Sequence, residues 1–277
     1  MSSLVLFLLF DRLSPPSLAA LEAAADIAAF HGLELVGVYV QDVNLLRGAA
    51  YGFAREIGAS SGMARPMDSG RLERRMQELA EQVRRSLEKL VAERELPGTL
   101  KLCRGLVLDE VLEQVRPEDL VVLGRAGWSA APGARFGSTA RGLVLRASGN
   151  VLLWSPRPAR SGRRLVVLVG DTRESRTRPL AVAAARVRQS PRPVTILVCS
   201  RAPVSPEEAE SLKKPLVSAG VDAEVQRLPE AGLAALRHYL RMEGAEELVI
   251  SRRCSLSARL DLERLLVTLD LPVTVTP

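Results

Sequence analysis

What this chain of 277 residues lacks narrows its chemistry. Aromatic residues make up 4% of it, too few to build a stacking platform for single-stranded nucleic acid. Histidine occurs twice, as His31 and His238, each in a helical pattern with no second ligand at metal spacing, which argues against a histidine-based metal site. The three cysteines, Cys103, Cys199 and Cys254, are odd in number and show none of the short spacings of zinc or redox motifs. Cys103 and Cys199 fall in strand-like runs and read as small core residues. No apolar run is long enough to cross a bilayer. The longest near the start, Leu4–Phe10, is too short, and Met1-Ser2-Ser3 before it lacks the basic flank of a signal peptide. The expected compartment is the cytoplasm, with no membrane partner. No helical stretch carries a basic recognition stripe, so no nucleic acid is expected either.

Lysine is almost absent: Lys89, Lys101, Lys213 and Lys214 are all there is, so arginine carries the net charge of +6. A basic excess can signal an anionic partner such as nucleotide, nucleic acid or membrane surface. Here the arginines form no block and read mainly as a solvated surface. Arg84-Arg85, between Glu81 and Glu88, looks like a helix face of alternating sign.

Apolar residues at 47% and charged residues at 25% describe an ordinary globular chain, long enough for two modest domains. The chain also repeats itself. The run Leu4–Asp11 resembles Leu165–Asp171, each a short apolar stretch ending at an acid. Glu118–Leu123 resembles Glu246–Ser251, and Asn150–Pro156 resembles Pro272–Pro277. Between the halves, Arg157–Arg163 is polar with Pro158 and Gly162 and reads as a linker. The expected domains are 1–156 and 163–277.

Within each half, Val/Leu/Ile runs alternate with helical patterns. In the first half the expected strands are Leu4–Phe10, Leu35–Val40, Leu100–Cys103, Leu120–Leu123 and Val151–Trp154. In the second they are Leu165–Val169, Val194–Cys199, Ala223–Arg227, Leu248–Ile250 and Val273–Thr276. Strands buried on both faces, alternating with helices, predict an α/β chain of two tandem doubly wound, Rossmann-like domains, each with a five-stranded parallel sheet. A Gly-rich excursion fills 47–70. After it, Leu72, Met76, Leu79, Val83, Leu87, Leu90 and Val91 step by three and four, predicting a long amphipathic helix packed on the sheet in preference to a coiled-coil arm.

The segment Gly124–Thr139 follows a strand and opens a helix. Its glycines let the backbone turn at positive φ and come close to a ligand. Successive N–H groups can cup an anion, and the helix N-terminus adds unpaired donors and partial positive charge. Ser138 and Thr139 offer hydroxyls there, and Arg125, Arg135 and Arg141 lie nearby in sequence. In a doubly wound sheet, ligands bind beyond the strand C-termini where the connections reverse, so Asp11 after the first strand would face this loop. Asp11 reads equally well as a helix N-cap or turn residue before Ser14-Pro15-Pro16.

Gly124, two residues, Gly127, nine residues, then Gly137-Ser138 resembles the ATP-binding signature of the universal stress protein family. The resemblance covers residues 1–156, and the strand pattern extends it over the rest. It implies that Asp11 and Val40 contact the nucleoside, and that Gly124, Gly127, Gly137 and Ser138 hold phosphates, with Thr139 and Arg125 compatible neighbours. It implies ATP as ligand, with Mg²⁺ only as its companion. It also implies pairing of Val151–Trp154 with Val273–Thr276 in an intramolecular pseudo-dimer, and further assembly of chains into a homodimer. Leu106-Val107 after Gly105 departs from the family, which often has proline there.

The second half departs further. After Ile250, the stretch Ser251–Glu263 contains no glycine, and Asp261 and Glu263 sit where phosphate would approach. This half is expected to be a degenerate structural partner, with Asp171 a turn residue. The reading that follows is an ATP-binding regulatory protein of the stress response acting on a protein partner. The alternatives are a structural interaction module with incidental nucleotide and, third, an enzyme. No Gly-Lys-Ser/Thr phosphate loop, Ser-Gly-Gly loop or evident general base is present, so no enzymatic activity beyond slow ATP hydrolysis is expected.

Overall fold

The computed structural model describes residues 3–8, 15–58, 61–124, 137–154, 164–170, 172–200, 203–228, 232–254, 262–269 and 271–277. The chain forms two compact units, Met1–Val115 and Arg116–Pro277. Segment 155–163, which contains the expected linker, lies outside the described residues.

In the first unit, strands β1 (Ser3–Leu8), β2 (Glu34–Asp42) and β5 (Gly98–Gly105) run parallel with β2 in the middle. Helix α1 (Pro15–His31) starts at Pro15-Pro16, where missing N–H groups cost nothing. It buries Ala20, Leu21, Ala24, Ala25 and Ala28, a stripe stepping by one, three and four. Short helix α2 (Val43–Ala49) is capped by Asp42, which accepts from the Asn44 N–H at 2.8 Å.

The excursion read as irregular holds a small antiparallel hairpin, β3 (Arg55–Ile57) and β4 (Ala64–Pro66). Helix α3 (Ser69–Glu93) follows, capped by Asp68, whose Oδ1 accepts from the Arg71 N–H at 3.0 Å. That bond leads the influences holding the Asp68 carboxyl below its ordinary value. Met76, Ala80, Val83, Leu87 and Leu90 bury the α3 stripe, and α3 packs on β2 and β5 of its own unit, as the periodicity predicts. The Tyr39 hydroxyl donates to the Met76 carbonyl at 3.0 Å, tying β2 to α3. Helix α4 (Val107–Gln114) closes the unit.

The second unit contains strands β6 (Leu120–Gly124), β7 (Asn150–Trp154), β8 (Arg164–Val169), β9 (Val194–Val198), β10 (Ala223–Arg227), β11 (Ala245–Ser251) and β12 (Val273–Thr276). Their order is β10-β9-β8-β11-β12-β7-β6. Every pairing is parallel except β12 with β7, which is antiparallel, Val273 facing Leu153 and Val275 facing Val151. β10 through β12 thus form a five-stranded parallel sheet whose order reverses between β8 and β11, the doubly wound arrangement expected for the second half. Helices α5 (Ser138–Arg146), α6 (Glu174–Gln189), α7 (Pro206–Val217), α8 (Leu233–Met242) and α9 (Leu262–Thr268) complete it. Leu165, Val167, Val169, Leu180, Val187, Ile196, Val198, Leu212 and Leu216 form an apolar cluster between sheet, α6 and α7.

Candidate functional site

Strand β6 ends at Gly124, opposite Trp154 of β7, with Val121, Val122 and Leu123 buried before it. Beyond the loop, Gly137 is the N-cap of α5. It has φ −59° and ψ 144°, and among the described residues no side chain caps the helix. Ser138 is exposed and Thr139 half-buried. This first turn therefore presents two hydroxyls and uncapped backbone donors, the arrangement that accepts an anion. Positive φ is not what calls for glycine at 137. A Cβ there would meet nothing within 4 Å, so the position is open and its backbone can be approached. The Arg141 N–H bonds to the Gly137 carbonyl at 2.9 Å, starting the helical ladder.

Upstream of the loop, buried Asp119 accepts the Arg116 N–H on Oδ2 at 2.9 Å, and its carbonyl takes the Asn150 N–H at 3.0 Å. These bonds fix the start of both β6 and β7. Gly124, Gly137, Ser138 and Thr139 thus belong to one β6–loop–α5 segment of the second unit. Val40 belongs to the first unit, where it lies two residues from the end of β2, faces Cys103 in the ladder and is 2% exposed. Asp11, Arg125 and Gly127 lie outside the described residues.

Two features escaped the sequence reading. The far end of α5 is held by arginines from the second half. The Arg252 Nη1 donates to the carbonyl of Ala147, the α5 C-cap, at 2.8 Å. Arg178 on α6 donates to the Ser148 carbonyl at 3.4 Å and to the Pro117 carbonyl. A cation at a helix C-terminus meets the negative end of its dipole. Burial, then the neighbouring Arg253 and Arg178, pull the Arg252 guanidinium below its ordinary value, and its hydrogen bond to the Ala147 carbonyl works against them. No periodicity announces a contact between residues 105 apart.

The second is Glu247, which stands just before the expected strand Leu248–Ile250. It lies inside β11, beside a register shift, and is 7% exposed. Arg192 Nη2 donates to its Oε2 at 2.5 Å, Arg186 Nε lies 3.7 Å from Oε1, and the Thr274 hydroxyl donates at 3.2 Å. Burial pushes its carboxyl up, but the two guanidinium groups and the Thr274 hydroxyl outweigh that and hold it below 4.5.

At the C-terminal end of β8 the described residues pack closely around Gly170. A Cβ on Gly170 would sit 2.8 Å from the Ser175 Oγ and 3.3 Å from the Cys254 Cα. The Gly170 carbonyl is taken by the Arg176 Nε at 2.7 Å, and Arg176 also pairs with Glu208 at 2.7 Å. Among the described residues no group of three or more His, Cys, Asp and Glu is placed to hold a metal ion, and no helix is long and apolar enough to cross a membrane.

Neither a family model nor a curated protein matches the sequence. Solved structures do match the fold. A universal stress protein from Archaeoglobus fulgidus DSM 4304 superposes with a TM-score of 0.71 at 15% identity, covering 100% of this chain and 99% of its own. A functionally unknown protein from Pseudomonas aeruginosa PAO1 superposes at 0.60 and 14% identity, covering 100% and 92%. A universal stress protein from Archaeoglobus fulgidus in complex with dAMP overlaps 42% of this chain and 98% of its own at 17% identity and a TM-score of 0.34, an overlap that carries no argument about this chain's ligand. Over its whole length, then, the chain has the fold of the universal stress proteins.

Proposed function

We propose that this chain is a nucleotide-binding regulatory protein of the universal stress type, with ATP phosphates held by the β6–α5 loop and the first turn of α5. The observation that carries the reading is the uncapped N-terminus of α5, with Gly137 open and Ser138 exposed, at the end of the Gly124…Gly127…Gly137-Ser138 spacing. Backbone N–H groups from Gly124 to Gly127, the Ser138 and Thr139 hydroxyls and the Arg125 guanidinium would share the phosphate charge, with Mg²⁺ as a companion of ATP. Each hydrogen bond to a charged phosphate contributes about 1.5–3 kcal/mol, and three or four of them, less the entropy of binding, support affinity on the order of micromolar.

The second half, without glycine in Ser251–Glu263 and closely packed at Gly170, would act as an intramolecular partner joined through β7 and β12. Bound nucleotide would order the loop and change the surface offered to a protein partner in the stress response, and turnover is no part of the reading.

Titration calorimetry of nucleotide-stripped protein with Mg-ATP tests this. One site is expected, kept in Gly137→Ala and lost in Gly137→Asp, where a carboxylate enters the open space and repels phosphate. Absence of heat in the unaltered protein overturns the reading. The absence of glycine from Ser251–Glu263 in the second half favours one competing view, a structural interaction module in which nucleotide is incidental. An unchanged thermal midpoint at saturating ATP would favour it.

A further inference from the structure

We propose that Arg178 and Arg252, both from the second half of the repeat, are positioning residues that set the nucleotide affinity of the β6–loop–α5 segment. The inference rests on the nucleotide reading and gives the second half a part in that site.

Helix α5 has little of its own to hold it. Of its nine residues Leu143 and Val144 alone are buried, both toward its C-terminal end. Ser138 is exposed, and Thr139 and Ala140 are half-buried. The turn that offers N–H groups to phosphate is therefore not the turn that fixes the helix. A helix rises about 1.5 Å per residue, so roughly 13 Å separate the two ends. Over that length a tilt at the last turn carries the first turn off the position a phosphate needs.

What fixes the last turn comes from outside the segment. Arg252, directly after β11, donates from Nη1 to the Ala147 carbonyl at 2.8 Å. Arg178 on α6 donates from Nη2 to two carbonyls, that of Ser148 at 3.4 Å and that of Pro117. Pro117 lies before β6 and Ser148 after α5, so this one nitrogen closes the segment at its base. The support behind Arg178 is firm. α6 buries Pro179, Leu180, Ala183 and Val187. Its first turn is bound to strand ends of the second half: Glu174 pairs with Arg253, and the Arg176 Nε donates to the Gly170 carbonyl at 2.7 Å. A lightly packed helix is thus held in place by a deeply packed one. Without these bonds α5 would sample orientations in which its first turn misses the phosphates. If one molecule in ten keeps the competent orientation, apparent affinity falls about tenfold. Long-range attraction by the two charges contributes less, since at roughly 13 Å ordinary salt screens most of it.

The test is calorimetric titration of the nucleotide-stripped full chain with Mg-ATP, for the parent, Arg178→Met, Arg178→Lys and Arg252→Gln. Arg178→Met and Arg252→Gln should each raise Kd about tenfold. Both bonds of Arg178 leave one nitrogen, so an ammonium can replace them, and Arg178→Lys should stay within about threefold of the parent. The loss should persist in about 0.5 M salt, where long-range attraction is screened out. Tyr239→Phe is the control. It removes a bond of α8, to Gln226 at 2.7 Å, and should lower the thermal midpoint with Kd unchanged. Should Arg178→Met not fold, Arg252→Gln carries the same prediction alone. A parent-like Kd in Arg178→Met and Arg252→Gln overturns the inference and leaves the nucleotide reading standing. An equal loss in Tyr239→Phe also overturns it, since affinity would then follow overall stability. Heat absent from the parent overturns both.

Discussion

Arg252, just past β11, donates a hydrogen bond at 2.8 Å to the carbonyl of Ala147, where α5 ends. The helix whose first turn faces the candidate phosphate site is thereby anchored at its last turn by the other half of the repeat. Arg252→Ala should lower the free energy of unfolding by about 1–2 kcal/mol, read by urea titration. Amide hydrogen exchange in α5 should speed up in the same variant. Because the neighbouring charges on Arg252 are Arg253 and Arg178, the contribution should survive moderate salt, unlike that of a surface ion pair.

Glu247→Gln should be more damaging. It removes the carboxylate shared by the Arg186 and Arg192 guanidinium groups, 14% and 13% exposed, though Arg192 keeps Glu246 at 3.6 Å. Removal of one partner from such a buried cluster costs about 3–5 kcal/mol. The sign of the acid response follows from the carboxyl being held below 4.5 in the folded chain. Its stabilisation is complete above 4.5 and is lost as pH falls through the lower folded value. The unaltered protein should therefore lose stability on acidification below 4.5 more steeply than the Gln variant, measured by denaturant midpoints across the acid range.

At the alkaline end, burial raises the Tyr39 and Tyr239 hydroxyls from 10.0 to about 12. A group raised in the folded state stabilises it fully below its unfolded value of 10.0, and that contribution is lost as pH rises through about 12. Phenolate absorbance should show two late-titrating tyrosines whose ionisation coincides with loss of structure. Tyr39→Phe should remove one of them and, with the bond to the Met76 carbonyl gone, cost about 1 kcal/mol.

Gly137→Ala separates folding from binding. With φ at −59° and open space at the Cβ position, the unliganded variant should unfold within about 1 kcal/mol of the parent by urea titration. A larger loss would mean that the glycine serves the backbone and not a ligand.

The strands were legible because parallel strands covered on both faces are written as unbroken runs. Leu165–Val169 is such a run, buried at every position, and β8 exceeds it by one residue. β11 reaches further than its run because Glu247 is neutralised from outside the strand, and no local pattern encodes that partner. The hairpin of 55–66 was hidden for a related reason: strands of three residues, mostly exposed, leave no alternation to read. In the candidate site, the glycine spacing and the helix after it were readable, since both are local. The Arg252 and Arg178 anchors were not, since folding alone brings residues 147 and 252 together.

The antiparallel pairing of β7 with β12 has a consequence for dilution. In a dimer of separate chains such a ladder would come apart as concentration fell. Here both strands belong to one polypeptide, so the tether sets their effective concentration whatever the protein's abundance. A cell could hold this molecule at a handful of copies and it would still be fully assembled. Cutting the tether would make the same seam depend on mass action and leave the backbone edge of β7 open to strands of other chains.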